Sequence, residues 1–336
     1  MKKFKVVGWD NGYDFEKIVT QNSKIKFPSV VHRPNKIQDI LPDEDKSFNK
    51  ERMIIEYNNS IYFIGKYAIY NAPGGGNKNY EKGKIMTATE KAKFLSGMSL
   101  ITNDNEIYIS KLITGLPVSN YFNLKDKVVE HFKENNRFKY KIKGNSKELF
   151  INKVICIPQG VGAYYDQTLN IQGKIKENNL LNKRYGLIDI GGNTIDSFIG
   201  EGLSPVNGTQ IGLSYGLSDA FKGVHEEAYN LIENNFLEEK DTLVYDNQEI
   251  NNIMKKCRDN FKILAEEVYE EIIDKWNRQL PRVEVIILTG GGSKAIGKYF
   301  KQKINKECII VDNPIFSNAN GYYKLGIRES KEDNNA

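Results

Sequence analysis

Two short stretches of this chain set a carboxylate beside a glycine turn, and a third ends an apolar strand in three glycines. In the first, a strand containing Phe4, Val6 and Val7 leads into Asp10, Asn11, Gly12 and Tyr13, and Lys17 precedes the next apolar pair, Ile18 and Val19. In the second, Leu187 and Ile188 lead into Asp189, Ile190, Gly191, Gly192, Asn193, Thr194, Ile195 and Asp196, after which residues 197–199 return to an apolar pattern. Each reads as a tight hairpin with its polar groups at the turn. Glycine places no Cβ between backbone N–H groups and an anion, so such turns can approach a phosphate closely. An acid at the same place repels a phosphate unless a cation intervenes. Asp10 and Asp189 therefore imply a hydrated Mg²⁺ as the metal they share. The amides of Asn11, Gly12 and Tyr13, and those of Gly191, Gly192, Asn193 and Thr194, are candidates for phosphate oxygens, with the Thr194 hydroxyl as a further donor. Lys17 offers its charge either to a phosphate or to a nearby acid. The alternative is a pair of ordinary hairpins with polar turns.

The third stretch is Val285, Ile286, Ile287, Leu288 and Thr289 followed by Gly290, Gly291, Gly292 and Ser293. A buried-type strand ending in glycines lets the backbone approach a flat or anionic ligand at the strand's carboxyl end. The three devices, in this order, resemble those of the actin, sugar kinase and heat-shock ATPase superfamily. The resemblance makes residues 10–17 the first phosphate loop, residues 189–196 the second, and Gly290, Gly291, Gly292 and Ser293 the adenosine loop. Residues 155–165 and 313–322 look like the superfamily's two interdomain connections. The stretch Leu112-Ile113-Thr114-Gly115-Leu116-Pro117-Val118 and the form Asp-x-Gly-Gly-Asn-Thr-x-Asp look most like the plasmid-segregation actins of the ParM/StbA type. The resemblance spans about residues 4–327; its motifs are specific together and weak singly.

What the resemblance implies is an actin-like α/β fold of two lobes, each a ribonuclease-H-like domain with an inserted subdomain. The first lobe is expected over residues 1–165, with an insert near 32–90. The second is expected over 166–312, with a helical insert near 217–279, and residues 313–336 are expected to return to the first lobe as a helix. Facing each other, the two turns would hold ATP or GTP with one Mg²⁺. Gln159 stands where the family's linking helix places a water-orienting group; ParM relatives often carry an acid there and conventional actins a Gln. Asp196 is the second candidate for polarising the water, or else a hairpin surface acid, and Asp189 joins these two in the catalytic set. The implied activity is slow hydrolysis gated by lobe movement and coupled to assembly into a helical filament of copies of this chain. The implied partner is a DNA-binding adaptor on centromere-like plasmid DNA. A small-molecule kinase of the sugar or acetate type is the competing reading on the same fold. It needs a general base and sugar-binding polar groups that the sequence does not single out.

The elements that must carry these residues are legible as short strands over residues 4–31, two strands near 53–55 and 61–64, and an irregular loop at 71–79. Thr87 or Thr89 caps a helix through Lys91, Phe94, Leu95 and Met98. A strand over 107–116, an amphipathic helix over 123–135, two strands within 138–157 and a linking helix over 159–172 follow. Residues 217–279 read as long and helical, with apolar residues such as Ile250, Ile253, Cys257 and Phe261 at helical spacing. The resemblance makes Lys255, Lys256 and Arg258 candidates for a nucleotide base or ribose, and solvent is the expected environment of at least two of them.

Composition narrows the class. The chain has 336 residues with 40% hydrophobic and 27% charged, ordinary for a globular chain of two domains. No apolar run is long enough to cross a membrane and the N-terminus lacks a leader's apolar core, so the expected location is the cytoplasm, with no membrane partner. The net charge of +5 is scattered in short basic stretches, so no direct sequence-specific DNA binding is expected. Cys156, Cys257 and Cys308 lack paired spacing, and His32, His131 and His225 form no ligand cluster, which argues against a disulfide framework, a zinc site or His-based hydrolysis.

Overall fold

The computed structural model describes residues 1–34, 47–72, 76–79, 81, 83–176, 180–202 and 204–332. The chain divides into two compact units, one made of Met1–Lys176 with Asn318–Ala336 and the other of Glu177–Ser317.

The first unit carries β1 (Lys2–Asn11), β2 (Phe15–Val19), β3 (Lys24–Pro28), β4 (Val31–His32), β5 (Met53–Tyr57), β6 (Ser60–Ile64) and α1 (Lys66–Asn71). After these come α2 (Ala88–Ile101), β7 (Glu106–Leu116), α3 (Val118–Glu134), β8 (Arg137–Ile142), β9 (Asn145–Pro158) and α4 (Val161–Thr168). The strands form one sheet in the order β3-β2-β1-β7-β9-β8-β5-β6-β4. At its centre β1, β7 and β9 run parallel. Parallel strands are covered on both faces and read as continuous apolar runs. That fits the burial of Val7, Trp9, Ile109, Leu112 and Ile151, which join the core of this unit. Helix α2 starts at Thr87, whose side chain accepts from the Glu90 amide. Its residues Glu90 through Ser99 are all buried, although three of them are charged.

The second unit carries β10 (Arg184–Ile190), β11 (Ile195–Glu201), β12 (Ser204–Pro205), β13 (Ile211–Leu213), α5 (Leu217–Lys222), α6 (Tyr229–Leu237), β14 (Thr242–Tyr245), β15 (Gln248–Asn251) and α7 (Ile253–Trp276). It is completed by β16 (Val285–Thr289), α8 (Ser293–Lys303) and β17 (Glu307–Ile310); α9 (Ser317–Glu332), which follows, belongs from Asn318 onward to the first unit. Its main sheet runs β12-β11-β10-β16-β17, with β13 also on β11. β10, β16 and β17 are parallel. A second apolar core gathers Ile188, Ile190, Ile195, Phe261, Trp276, Leu288 and Phe300.

The structure corrects the sequence reading in several elements. Residues 217–279 are not all helical: β14 and β15 form a hairpin, and Ile250 belongs to β15. The turn of that hairpin sets Asp246 and Asn247 at φ 46° and 59°, a left-handed pair suited to a two-residue connection. α5 ends at Lys222, so Val224 and Ala228 lie beyond it. The linking helix is shorter than expected, and the amphipathic helix begins earlier, at Val118 after Pro117. Of the loop at 71–79, Gly74 and its neighbours at 73 and 75 lie outside the described residues, as does the part of the expected insert at 35–46.

Candidate functional site

In the first unit β1 and β2 pair antiparallel with Asp10 opposite Lys17 and Asn11 opposite Glu16. In the second, β10 and β11 pair with Asp189 opposite Asp196 and Ile190 opposite Ile195. The acid and its cross-strand partner are thus seven residues apart in both hairpins. Each hairpin also has a parallel neighbour with a Thr-Gly pair at or near its end. Thr114 lies beside Trp9, and Thr289 lies beside Asp189. Strand alternation puts the acid pair on one face of each hairpin end and the next pair on the other.

On the acid face of the first unit, Lys17 Nζ donates to Asp10 Oδ2 at 2.9 Å and Gln159 Nε2 donates to Asp10 Oδ1 at 3.3 Å. Asp10 is only 2% exposed. Lys17 therefore meets the nearby acid, one of the two roles its position allowed. The Gln159 amide N–H also donates to the Leu116 carbonyl at 2.6 Å, which fixes the residue at the end of β9. Gly160 and Ala163, at the start of α4, both donate to Asn318 Oδ1, at 3.1 and 3.2 Å. Asp10, Lys17 and Gln159 are thus brought into one polar cluster. Gly12 closes the turn so tightly that a Cβ there would meet the Phe15 carbonyl oxygen at 2.7 Å.

On the other face lies a group that the sequence reading did not pick out. Glu16, Glu90 and Lys93 are fully buried. Lys93 Nζ sits 3.1 Å from Glu16 Oε1 and 2.7 Å from Glu90 Oε2, and donates to Ser29 Oγ at 2.7 Å. Glu16 also accepts from Trp9 Nε1 at 2.8 Å and from Ser29 Oγ at 2.9 Å. Asn11 Nδ2 donates to Glu90 Oε2 at 2.8 Å, and Lys84 Nζ donates to the Gly12 carbonyl at 2.9 Å. Burial raises the pKa of Glu90, with the Glu16 charge adding to it, and burial lowers that of Lys84. A signal for this group was present: Glu16 shares a strand face with the core residue Ile18, and Glu90 lies one helical turn before the core residue Phe94.

In the second unit the back face is apolar, with Ile190 and Ile195 fully buried. On the acid face Asp196 is partly buried, and burial together with the Asp189 charge pushes its pKa up to about 7. Gly191 N–H donates to the Thr194 carbonyl at 2.8 Å, closing the turn. The carbonyls of Gly191 and Gly192 accept from the amides of Leu217 at 3.1 Å and Ser218 at 2.8 Å. The strand β16 delivers Gly290 beside this hairpin, at φ 83°, where a Cβ would lie 2.4 Å from Asp189 Oδ1 and 2.3 Å from the Ile190 carbonyl. Gly292 N–H donates to that same carbonyl at 2.9 Å, and Ser293 Oγ donates to the Gly290 carbonyl at 2.8 Å. Asp189, Asp196, Gly191, Gly192, Asn193, Thr194 and the Gly290–Ser293 turn are therefore neighbours within one unit. Lys255, Lys256 and Arg258 stand exposed on α7.

The donor set suits a hydrated Mg²⁺. Asp189 faces a second acid across the strand pair, and burial, with the Asp189 charge second, disfavours the charged form of Asp196 there. Mg²⁺ retains much of its water and takes one or two carboxylates plus phosphate oxygens, so a large cage of protein ligands is not required. Among the described residues no helix is long and apolar enough to cross a membrane.

Residues 8–162 match the family model of the N-terminal domain of actin like proteins, and residues 187–302 match that of the C-terminal domain of the archaeal MreB-like actin homologue. This is an actin-like chain. Its two-domain α/β architecture is shared with solved actin homologues. With the apo psk41 ParM protein it has 19% identity and a TM-score of 0.73, over 99% of each chain. With the archaeal actin homologue Ta0583 in complex with ADP it has 20% identity and a TM-score of 0.70, over 98% of this chain and 99% of the other. With the 15-stranded ParM filament from Clostridium botulinum it has 20% identity and a TM-score of 0.68, over 97% of this chain and 99% of the other. No curated protein matches this actin-like chain by sequence.

Proposed function

We propose that this actin-like chain is a nucleoside triphosphatase that binds Mg²⁺–ATP, or GTP, and couples its hydrolysis to filament assembly. One observation carries the reading. The same hairpin, with an acid, a glycine turn and the acid paired to the residue seven positions on, occurs once in each unit, beside a parallel strand whose threonine stands level with the residue before the acid in the first unit and with the acid itself in the second. A duplicated acid-and-amide device suits a ligand with several anionic groups and a bound cation. The amides of residues 11–13 and 192–194 take phosphate oxygens, with Thr194 adding its hydroxyl, while the Gly191 N–H, a candidate from the sequence, is taken by the Thr194 carbonyl. Asp10 and Asp189 hold the metal through its waters; when bound, Mg²⁺ neutralises charge on the phosphates. Gly290, Gly291, Gly292 and Ser293 form the flat approach for the adenosine.

Hydrolysis of a phosphoanhydride needs an oriented water and in-line geometry more than a strong base. Gln159, tethered to Asp10, is the water-orienting residue in this reading. Asp196, with a pKa near neutrality, is suited to accept the proton from that water. Lys17 holds Asp10 in place through its 2.9 Å hydrogen bond. The ParM filament and ADP-bound homologue among the neighbours lend support at the level of the fold. In a cell such a filament would work in the cytoplasm and move plasmid DNA through a DNA-binding adaptor.

The test is light scattering of the purified chain together with phosphate release after addition of Mg²⁺–ATP or Mg²⁺–GTP. The expected result is scattering that rises on addition and falls as phosphate is released, with a non-hydrolysable analogue holding it high. Phosphate transfer to a small-molecule acceptor without any scattering would replace this reading with the kinase one.

A further inference from the structure

The turn after Asp10 is held from behind by a lysine that phosphate binding does not use. Lys84 is 8% exposed, donates to the Gly12 carbonyl at 2.9 Å, and lies 4.5 Å from the centre of the Tyr13 ring. The corresponding task in the second unit is done by main chain: the carbonyls of Gly191 and Gly192 accept from the amides of Leu217 and Ser218. The two hairpins share register and spacing, so one buried ammonium stands in the first unit where two backbone amides stand in the second. The first turn is tied at a second point, since Asn11 Nδ2 donates to Glu90. Glu90 and Glu16 attract Lys84 over longer range, and Lys93 bridges the two acids directly. Two acids and two lysines leave this buried group without net charge. A balanced arrangement of this kind is stable in a low-dielectric interior and intolerant of losing one member.

We propose that Lys84 is a positioning residue for the first phosphate turn: it holds the Gly12 carbonyl from the inner side, so the turn amides stay arranged for an anionic ligand, without itself touching the phosphate. This rests on the reading of residues 11–13 as phosphate-binding. Preorganised amides bind an anion more tightly than amides that must first be ordered. Lys84 therefore acts on nucleotide affinity through the backbone of the turn.

Lys84→Met keeps most of the stem and removes the ammonium. Two readouts on the full chain separate the roles. The first is hydrogen exchange, followed by mass spectrometry, of the peptide spanning residues 9–18 in nucleotide-free protein. The second is the Kd for a fluorescent ATP analogue with Mg²⁺, alongside kcat at saturation. Exchange in that peptide is expected to quicken about tenfold. The Kd is expected to rise about tenfold while kcat changes less than about threefold. Lys84→Arg is expected to recover both. Weakened binding with unchanged exchange would make Lys84 a direct phosphate ligand and overturn the proposal. Faster exchange with unchanged affinity would overturn it too, leaving only a packing role. Should Lys84→Met not fold, the charge-balanced Lys84→Met/Glu90→Gln chain carries the same comparison. The unaltered protein gives a further check: peptide 9–18 exchanging far faster than the peptide over 187–198 would contradict a turn held by Lys84. If the unaltered chain takes up no nucleotide, the phosphate reading fails, and the exchange difference alone then reports whether Lys84 holds the turn.

Discussion

The hairpins of the two units share strand pairing, spacing, a leading aspartate and a glycine two residues after it, yet differ in what surrounds the turn. Across from the acid the first has Lys17 and the second has Asp196. Behind the turn the first has Asn11 and Glu16 in a buried ionic group, and the second has Ile190 and Ile195 in an apolar core. The carbonyls of the turn are taken by Lys84 in the first and by main-chain amides in the second. The backbone device is therefore the constant, and its chemical surroundings are what vary. The first hairpin brings its own cation, so its acid is neutralised before any ligand arrives. The second sets two acids opposite each other, so in the proposed function it is the half that would gain more from a bound cation.

The largest test of this contrast is Lys93→Met. Removing one charge from a fully buried pairing leaves Glu16 and Glu90 one cation short, with an expected loss of about 3–5 kcal/mol in denaturant unfolding. Adding Glu90→Gln should recover part of that loss. Strict additivity of the two substitutions would mean that the group is not a coupled unit. Ile195→Ala tests the apolar counterpart, with an expected loss of about 3 kcal/mol from a cavity. That loss should be insensitive to pH, and a pH-dependent loss would contradict a purely apolar back face.

A smaller effect is expected from Asp196→Asn in nucleotide-free protein. The folded-state pKa of Asp196, about 7, lies above its ordinary value of 3.8. Its contribution is therefore fully present below the ordinary value and is lost as pH rises through about 7. The substitution should leave Tm unchanged at low pH and raise it by about 5 °C at pH 8. Equal Tm values at pH 8 would remove the argument that two acids crowd this hairpin.

The hairpins and the strand before Gly290 were legible in the sequence because glycine turns interrupt otherwise apolar strands, and because an acid at the end of such a strand is rare without a task. The β14–β15 hairpin was not legible: its turn, Asp246 and Asn247, lies in a polar stretch, and Ile250 happens to fit the helical spacing of α7. Most of the ionic group behind the first turn was hidden for a different reason. Glu90, Lys91 and Lys93 follow a helix cap, where charged residues read as a solvent-facing stripe, whereas α2 is buried along this length. Lys84 lies far from Gly12 in the sequence, and only tertiary packing joins them. Alternation in β2 placed Glu16 on the core face, and the spacing of Glu90 to Phe94 was the second sequence clue to charge in the interior.

The central claim is that both acid-bearing turns serve one Mg²⁺-dependent nucleotide site, and isothermal titration calorimetry of the full chain with ATP and GTP, with and without Mg²⁺, tests it most directly. The prediction is a single Mg²⁺-dependent site whose affinity falls by about 2–3 kcal/mol in Asp10→Ala and again in Asp189→Ala, while both variants keep a cooperative unfolding transition. Uptake that ignores Mg²⁺, uptake that survives both substitutions, or no uptake at all would contradict it.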